Sequence, residues 1–83
     1  MTRSIKVLLF ATMRDQVGSK SIELDLPEGA NVAQLKDHLV ARYPGLTAAM
    51  GSVIVAIDRK FVNDEDEVPA GVDVALFPPV SGG

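Results

Sequence analysis

The stretch that decides the fold is "SIELDLPEGANVAQLKDHLVARYPG", residues 21–45. In its first part, the apolar residues Ile22, Leu24 and Leu26 alternate with charged ones. Strict alternation of this kind is typical of a strand that buries one face and exposes the other. The "PEG" that follows contains a proline and a glycine, and both interrupt regular structure. The sequence therefore predicts a half-buried strand that breaks at residues 27–29.

The second half of the stretch has the spacing of a helix. Its apolar residues recur every three or four positions, at Val32, Leu35, Leu39 and Tyr43. This spacing places them on one face of an amphipathic helix. Asn31 stands at the N-cap position, where its side chain can accept a hydrogen bond from the first turn. Pro44 and Gly45 follow and predict the end of the helix.

Further strands are predicted on both sides of this unit. Upstream, the β-rich run 5–11 is expected to form a hairpin with the strand at 22–26, across a short connection for which a helix is one option. Downstream, the predicted elements are a strand at 52–57, a turn at 58–60, a short strand at 61–62 and a last strand at 72–77.

The order of these elements is two strands, a helix and three strands. This order predicts an α+β fold, with about five strands in a small mixed sheet and one main helix across one face. By analogy, this arrangement resembles the β-grasp fold of ubiquitin-like proteins. We expect one β-grasp domain over residues 1–77 and an extended, flexible C-terminal tail over residues 78–83.

Composition argues against several classes of function. The chain has 83 residues, no cysteine and a net charge of −3, with its basic residues scattered along the sequence. Nucleic-acid binding needs clustered Lys and Arg, and a membrane span needs roughly 18 consecutive apolar residues, so neither is expected. The absence of cysteine and of a signal-peptide pattern fits a cytoplasmic protein.

The residues for conventional catalysis are also missing from the sequence. His38 is expected to be a solvated helix residue, and no His, Cys and Asp residues have metal-ligand spacing. The acidic run at 63–67 lacks the spacing of a calcium loop and is better explained as a solvated loop than as a loose cation site. No glycine-rich phosphate loop or paired nucleophile and base is present. The pattern favours a carrier or a binding module over a free-standing enzyme.

Strand alternation predicts an exposed apolar patch near the C-terminus. On the last strand, Phe77 shares a face with Asp73, so that face is expected to meet solvent. On the first strand, Phe10 shares a face with Lys6. If the two strands are neighbours, Phe10 and Phe77 form an apolar patch of the kind that marks partner sites. Phe61 either joins this patch or lies in a second small core under the acidic loop.

The chain ends in "FPPVSGG", residues 77–83. Pro78 and Pro79 favour an extended backbone, and the six residues after Phe77 can reach about 20 Å. Gly82 and Gly83 have no side chains, so they fit a narrow tunnel and leave the terminal carboxylate accessible. A carboxylate becomes reactive once a partner's ATP adenylates it, and sulfur delivered to the acyl group then gives a thiocarboxylate. The alternative is a frayed terminus with no chemistry of its own.

Essentially the whole chain resembles the ubiquitin-like sulfur carriers, and among them the family of molybdopterin synthase small subunits. The similarity runs through "KVLLFATMRDQVG" (6–18), the helix, "VAIDRKFVNDEDEVPAGVDVALFPP" (55–79) and the closing "FPPVSGG". The heptapeptide is the specific part, because a bare Gly-Gly indicates only ubiquitin-like carriers in general. "IDRK" (57–60) replaces an expected Asn-containing turn and leaves the type of that hairpin turn open.

The resemblance implies that a partner adenylates Gly83 with ATP and that a sulfur donor protein converts it to a thiocarboxylate. The tail would then give sulfur to a cyclic pyranopterin precursor in the large synthase subunit, within a heterotetramer. The chain itself would bind no cofactor and no metal. The residues implied in partner contacts are Phe10, Arg14, Phe61, Phe77, Pro78, Pro79, Val80 and Ser81, and Gly82 would accompany the reactive Gly83.

Two alternatives remain open from the sequence. One is a sulfur carrier of another pathway, such as thiamine thiazole, cysteine or tungsten-pterin synthesis. The other is a β-grasp module that binds partners non-covalently and ends in an incidental Gly-Gly.

Overall fold

The computed structural model describes residues 2–78, apart from the side chains of residues 11 and 12. In chain order its elements are β1 (Thr2–Leu9), α1 (Ala11–Val17), β2 (Ser21–Pro27), α2 (Val32–Arg42), a 3₁₀ turn (Pro44–Leu46), α3 (Thr47–Met50), β3 (Ile54–Ile57), β4 (Lys60–Val62) and β5 (Val74–Phe77).

The five strands within residues 2–78 form one mixed sheet in the order β2-β1-β5-β3-β4. β1 and β5 are parallel, whereas β1 pairs antiparallel with β2, and β3 pairs antiparallel with both β4 and β5. The predicted α+β class, the strand number and the pairing of β1 with β2 are confirmed.

Several predicted boundaries were wrong. The first strand ends at Leu9 rather than at residue 11, because helix α1 begins at Ala11. That helix ends at Val17 and is capped by Gly18, whose left-handed φ of 84° is easiest for glycine. β3 begins at Ile54 rather than at residue 52, since the Ser52 N–H still bonds to the carbonyl of Ala49 in the preceding turn. β5 likewise begins two residues later than predicted.

Helix α2 packs its apolar face onto one side of the sheet. Val32, Leu35 and Leu39 are fully buried there, as their spacing predicted. Leu46 and Met50, in the unpredicted turn and short helix after α2, add to the same core. The strand residues that meet them are Ile5, Val7, Leu9, Leu24, Leu26, Val55, Ile57, Val74 and Leu76.

The first turn of α2 has partners for backbone donors that a helix cannot satisfy internally. Asn31 is the N-cap, and its side chain and that of Gln34 form a reciprocal capping box, with both hydrogen bonds at 2.9 Å. The Val32 N–H donates to the carbonyl of Asp66 (2.9 Å) and the Ala33 N–H to that of Asp64 (3.1 Å). Residues 63–67 are all exposed, so the acidic loop is a solvated loop, as predicted, and its backbone carbonyls also cap the main helix.

A two-residue loop joins β3 to β4. Ile57 pairs with Lys60, and the intervening Asp58 and Arg59 have φ of 52° and 67°. Positive φ at both positions is the signature of a type I′ turn, in which Asn-Gly is the favoured pair. The "IDRK" departure therefore keeps the turn that an Asn-containing sequence would form, at some cost in backbone strain.

Candidate functional site: an open sheet face at the root of the tail

The face of the sheet opposite α2 is open and largely apolar over four of its strands. Four cross-strand partners line up on it: Leu8 on β1, Ala75 on β5, Ala56 on β3 and Phe61 on β4. Phe61 is 80% exposed, whereas Ala56 is buried but lies outside the hydrophobic core. Because side chains alternate along a strand, these four belong to the face that α2 does not cover.

A second apolar row lies two residues further along the same strands. It consists of Phe10, just past β1, then Phe77 on β5 and its β3 partner Ile54. The rings of Phe10 and Phe77 stack, with centroids 4.6 Å apart and ring planes 15° apart. Phe10 is 40% exposed, while Phe77 between its two neighbours is half-buried. We call the two rows together the open face.

The open face is concave at its centre. Ala56 and Ala75 are small, and the larger Leu8 and Phe77 stand beside them, so a shallow depression of about 460 Å³ forms. The connection before β5 and the β3–β4 turn complete its wall through Asp58, Arg59, Gly71, Val72 and Asp73. An apolar floor with a charged rim is typical of a site that binds another protein.

The apolar surface ends at β2. There the residues of the same face are polar, since Lys6 lies opposite Glu23 and Ser4 opposite Asp25. Opposite charges across a strand pair stabilise a solvated surface. The patch is thus confined to one side of the sheet, toward the end where the tail leaves β5.

The structure brings together most of the predicted contact residues that it describes. The stacking of Phe10 on Phe77 confirms the prediction that they share a patch. Phe61 is exposed, which excludes the second of the two alternatives left open for it, a small core under the acidic loop. Pro78 follows β5 directly and is half-buried. Arg14 is exposed on α1 and lines a separate shallow pocket with Lys20, so the structure does not place it on the open face.

The remaining predicted site residues lie outside the described part of the chain: Pro79, Val80, Ser81, Gly82 and Gly83. Their roles stay predictions.

Sequence reasoning missed the contribution of β3 to the open face. Ile54 and Ala56 belong to an apolar run, "VIVAI", in which alternation does not distinguish the two sides. One signal was available: Asp73 marks the side of β5 that faces solvent. It indicates the exposed side of β3 only once these two strands are known to pair.

Neither a metal site nor a membrane helix is found among residues 2–78. His38 is exposed on α2, as predicted. No three His, Cys, Asp or Glu side chains in this part of the chain are grouped so as to hold a metal ion. None of its helices combines the length and hydropathy that crossing a membrane requires.

Comparison with known proteins places the fold in a family. The model of the ThiS family matches residues 7–83, which include both rows of the open face and the terminal glycines. The chain belongs to the ThiS family.

Two relatives of this ThiS-family chain carry the same name. The molybdopterin synthase sulfur carrier subunit of Arabidopsis thaliana is 34% identical over 79 residues, with 95% of this chain and 82% of that protein covered. The Escherichia coli (strain K12) protein of the same name is 35% identical over 83 residues, with 95% and 99% covered. These relatives bear out the resemblance to sulfur carriers.

Solved structures confirm the β-grasp fold of this ThiS-family chain. SAMP1 from Haloferax volcanii superposes with a TM-score of 0.84 at 30% identity, covering 98% of this chain and 100% of that one. A chain of the Amycolatopsis orientalis BexX/CysO complex superposes with a TM-score of 0.75 at 25% identity, covering 95% and 99%. The second neighbour was solved in a complex with another protein.

Proposed function

We propose that this chain is the sulfur-carrying small subunit of a molybdopterin synthase. Its terminal Gly83 is activated by a partner, loaded with sulfur as a thiocarboxylate, and delivered to a cyclic pyranopterin precursor held by the large subunit. The observation that supports this most is the extent of the family match, which continues through the whole tail to Gly83. Relatives named as molybdopterin synthase sulfur carrier subunits align over 95% of the chain.

The chemistry requires only the terminal carboxylate of Gly83. A carboxylate oxygen attacks the α-phosphorus of ATP on the adenylating partner, pyrophosphate leaves, and an acyl-adenylate forms. A sulfur nucleophile at the oxidation level of sulfide, supplied by a donor protein, then attacks the acyl carbon and expels AMP. The resulting thiocarboxylate attacks an electrophilic carbon of the pterin precursor: a carbon–sulfur bond forms, and the carbon–oxygen bond to the oxygen substituent on that carbon breaks, so that this substituent leaves. Water cleaves the acyl–sulfur bond, leaves the sulfur on the pterin and restores the carboxylate, and two such transfers complete the dithiolene.

The open face suits the docking that this chemistry needs. It presents Leu8, Phe10 and Phe61 to solvent on the same side of the sheet as Phe77, the last strand residue before the tail. A partner that covers this face therefore sits beside the point where the tail begins. Aromatic anchors around a concave apolar centre are typical of protein–protein hot spots. We propose the large synthase subunit and the adenylating enzyme as its occupants, the former in a heterotetramer.

Intact mass of the protein recovered gently from cells that make the cofactor tests the carrier role. The expected result is a fraction heavier by one oxygen-to-sulfur exchange, mapped to the peptide that ends in Gly83. An unmodified mass, even after incubation with ATP, an adenylating enzyme and a sulfur donor, would overturn the proposal.

Two variants separate the carrier from a non-covalent binding module. Deletion of Gly83 is expected to abolish sulfur transfer while the large subunit still binds, because the open face is unchanged. Phe77→Asp is the matched control and is expected to weaken binding, since it places a charge in the middle of the second apolar row. Full activity of the Gly83 deletion would favour the binding module.

A second candidate is a covalent modifier of other proteins. It is favoured by the likeness to SAMP1 of Haloferax volcanii, the small archaeal modifier protein 1. In this function an amine, rather than sulfur, attacks the same activated carboxyl of Gly83 and forms an amide. Adducts in which Gly83 is joined to lysine side chains of other proteins would support it, and a thiocarboxylate without adducts would support the carrier alone.

A carrier of another pathway, in line with the CysO neighbour, would form the thiocarboxylate but fail to convert the pterin precursor.

A further inference from the structure

The stacked pair Phe10 and Phe77 lies at the end of β5, directly before Pro78. β1 and β5 are parallel and in register, with Leu9 beside Leu76, so the next residues of both strands meet at the same end of the sheet. Their rings are nearly parallel, with centroids 4.6 Å apart. Parallel aromatic rings at this separation attract beyond the area that they bury.

Phe77 is held from both sides. Phe10 covers one side, and on the other Phe77 pairs with Ile54 of β3. Pro78 follows and has no N–H, so it cannot donate to the ladder. The pairing with Ile54 and the stack on Phe10 are thus the contacts that define how the chain leaves the sheet.

Phe10 itself is firmly anchored. It sits between Leu9, which is 2% exposed, and α1, whose Met13 is fully buried. The Leu9 N–H donates to the carbonyl of Lys20 at 2.8 Å, and the extended backbone of Phe10 (φ −125°, ψ 152°) turns directly into the helix. Its ring therefore projects from backbone fixed on both sides, even though 40% of the residue is exposed.

We propose that Phe10 is a positioning residue for sulfur transfer: by stacking on Phe77 it fixes the position of the strand end from which the C-terminal residues continue. This rests on the proposed carrier function. The role proposed for Phe10 differs from that of Phe61. Phe61 is 80% exposed and has no stacking partner among the described aromatic residues, so Phe61 can contribute only contact area to a partner.

The position of Phe77 matters because residues 78–83 follow it directly. The five residues after Pro78 can span at most about 17 Å, so a shift of Phe77 moves the point from which this limited reach begins. A misplacement of about 1 Å in a reacting group can already slow a reaction about 100-fold. A loosened root should therefore reduce the rate of transfer inside the assembled complex as well as the affinity.

Single-turnover sulfur transfer tests this with thiocarboxylate forms of Phe10→Ala, Phe10→Tyr and Phe61→Ala, each with saturating large subunit and pterin precursor. We expect Phe10→Ala to lower the rate at saturation at least about 10-fold, while Phe10→Tyr, which keeps the stack, stays within about 2-fold of wild type. Phe61→Ala is the matched control and is expected to raise the Kd with no change in the saturated rate. If Phe10→Ala behaves like Phe61→Ala, Phe10 is a contact residue and the inference fails.

Amide hydrogen exchange in the free chain supplies a readout that does not depend on the reaction. Phe10→Ala should speed exchange of the Phe77 amide at least about 10-fold, with little change at Val74 at the opposite end of β5. Unchanged exchange at Phe77 in Phe10→Ala would overturn the positioning role, and this holds whether or not the wild-type chain transfers sulfur. Failure of the wild-type chain to transfer sulfur would overturn the carrier proposal, which is a separate outcome.

Discussion

Phe61→Ala should weaken partner binding without weakening the fold. The Phe61 side chain is 80% exposed on the three-residue edge strand β4, and it is not part of the core. A phenylalanine can bury about 200 Å², so covering it would remove about 160 Å² from water, or about 4 kcal/mol at 25 cal/mol per Å². Alanine retains part of this area and binding orders the side chain, so we expect a loss of about 2 kcal/mol, which is about 30-fold in Kd.

The assay compares two quantities for the same variant. Isothermal titration with the large synthase subunit measures the Kd, and thermal unfolding of the free chain measures stability. The free energy of unfolding should stay within about 0.5 kcal/mol of wild type, because exposed residues away from special backbone sites contribute little. A Tm lowered by many degrees with an unchanged Kd would refute this explanation, since it would mean that Phe61 supports the fold rather than the interface.

Three further variants test the fold by thermal or urea unfolding. Asn31→Ala removes the hydrogen bond that the Asn31 side chain accepts in the capping box on α2. It should lower the free energy of unfolding by about 1 kcal/mol, or the Tm by roughly 4–8 °C, and an unchanged Tm would show that the acidic loop caps the helix without this bond. Replacing Asp58 and Arg59 together by Asn-Gly should raise stability by about 0.5–1 kcal/mol, because that pair adopts positive φ at both positions without strain, and a lower Tm would contradict the type I′ assignment. Leu39→Ala should cost about 2–5 kcal/mol, since Leu39 is fully buried between α2 and the sheet, and a loss below about 1 kcal/mol would place it outside the core.

Much of the site was predictable because strand alternation is a local property. The charge of Asp73 indicated which side of β5 faces solvent, and that placed Phe77 on an open surface. The same parity placed Phe10 on a face with Lys6. The prediction that the two form one patch still depended on β1 and β5 being neighbours, a condition that the sequence did not supply and the structure meets.

Phe61 shows where local pattern stops being informative. It belongs to a strand of only three residues, too short for alternation to reveal which side is buried. Its exposure follows from the position of β4 at the edge of the sheet, opposite Ala56 on the face that α2 does not cover. The acidic loop, which in one of the two alternatives covered a second core, lies at the start of α2 and caps it.

By itself the sequence determined the elements whose causes lie within a few residues. Apolar spacing defined α2 and its buried face, Asn31 defined where that helix begins, and alternation defined β2. The tertiary structure alone decided the order β2-β1-β5-β3-β4, which sets Phe10 against Phe77 and adds Ile54 and Ala56 to the open face. The physical reason is that pairing between distant strands depends on how the whole sheet buries its apolar side under one helix, and no local periodicity encodes that choice.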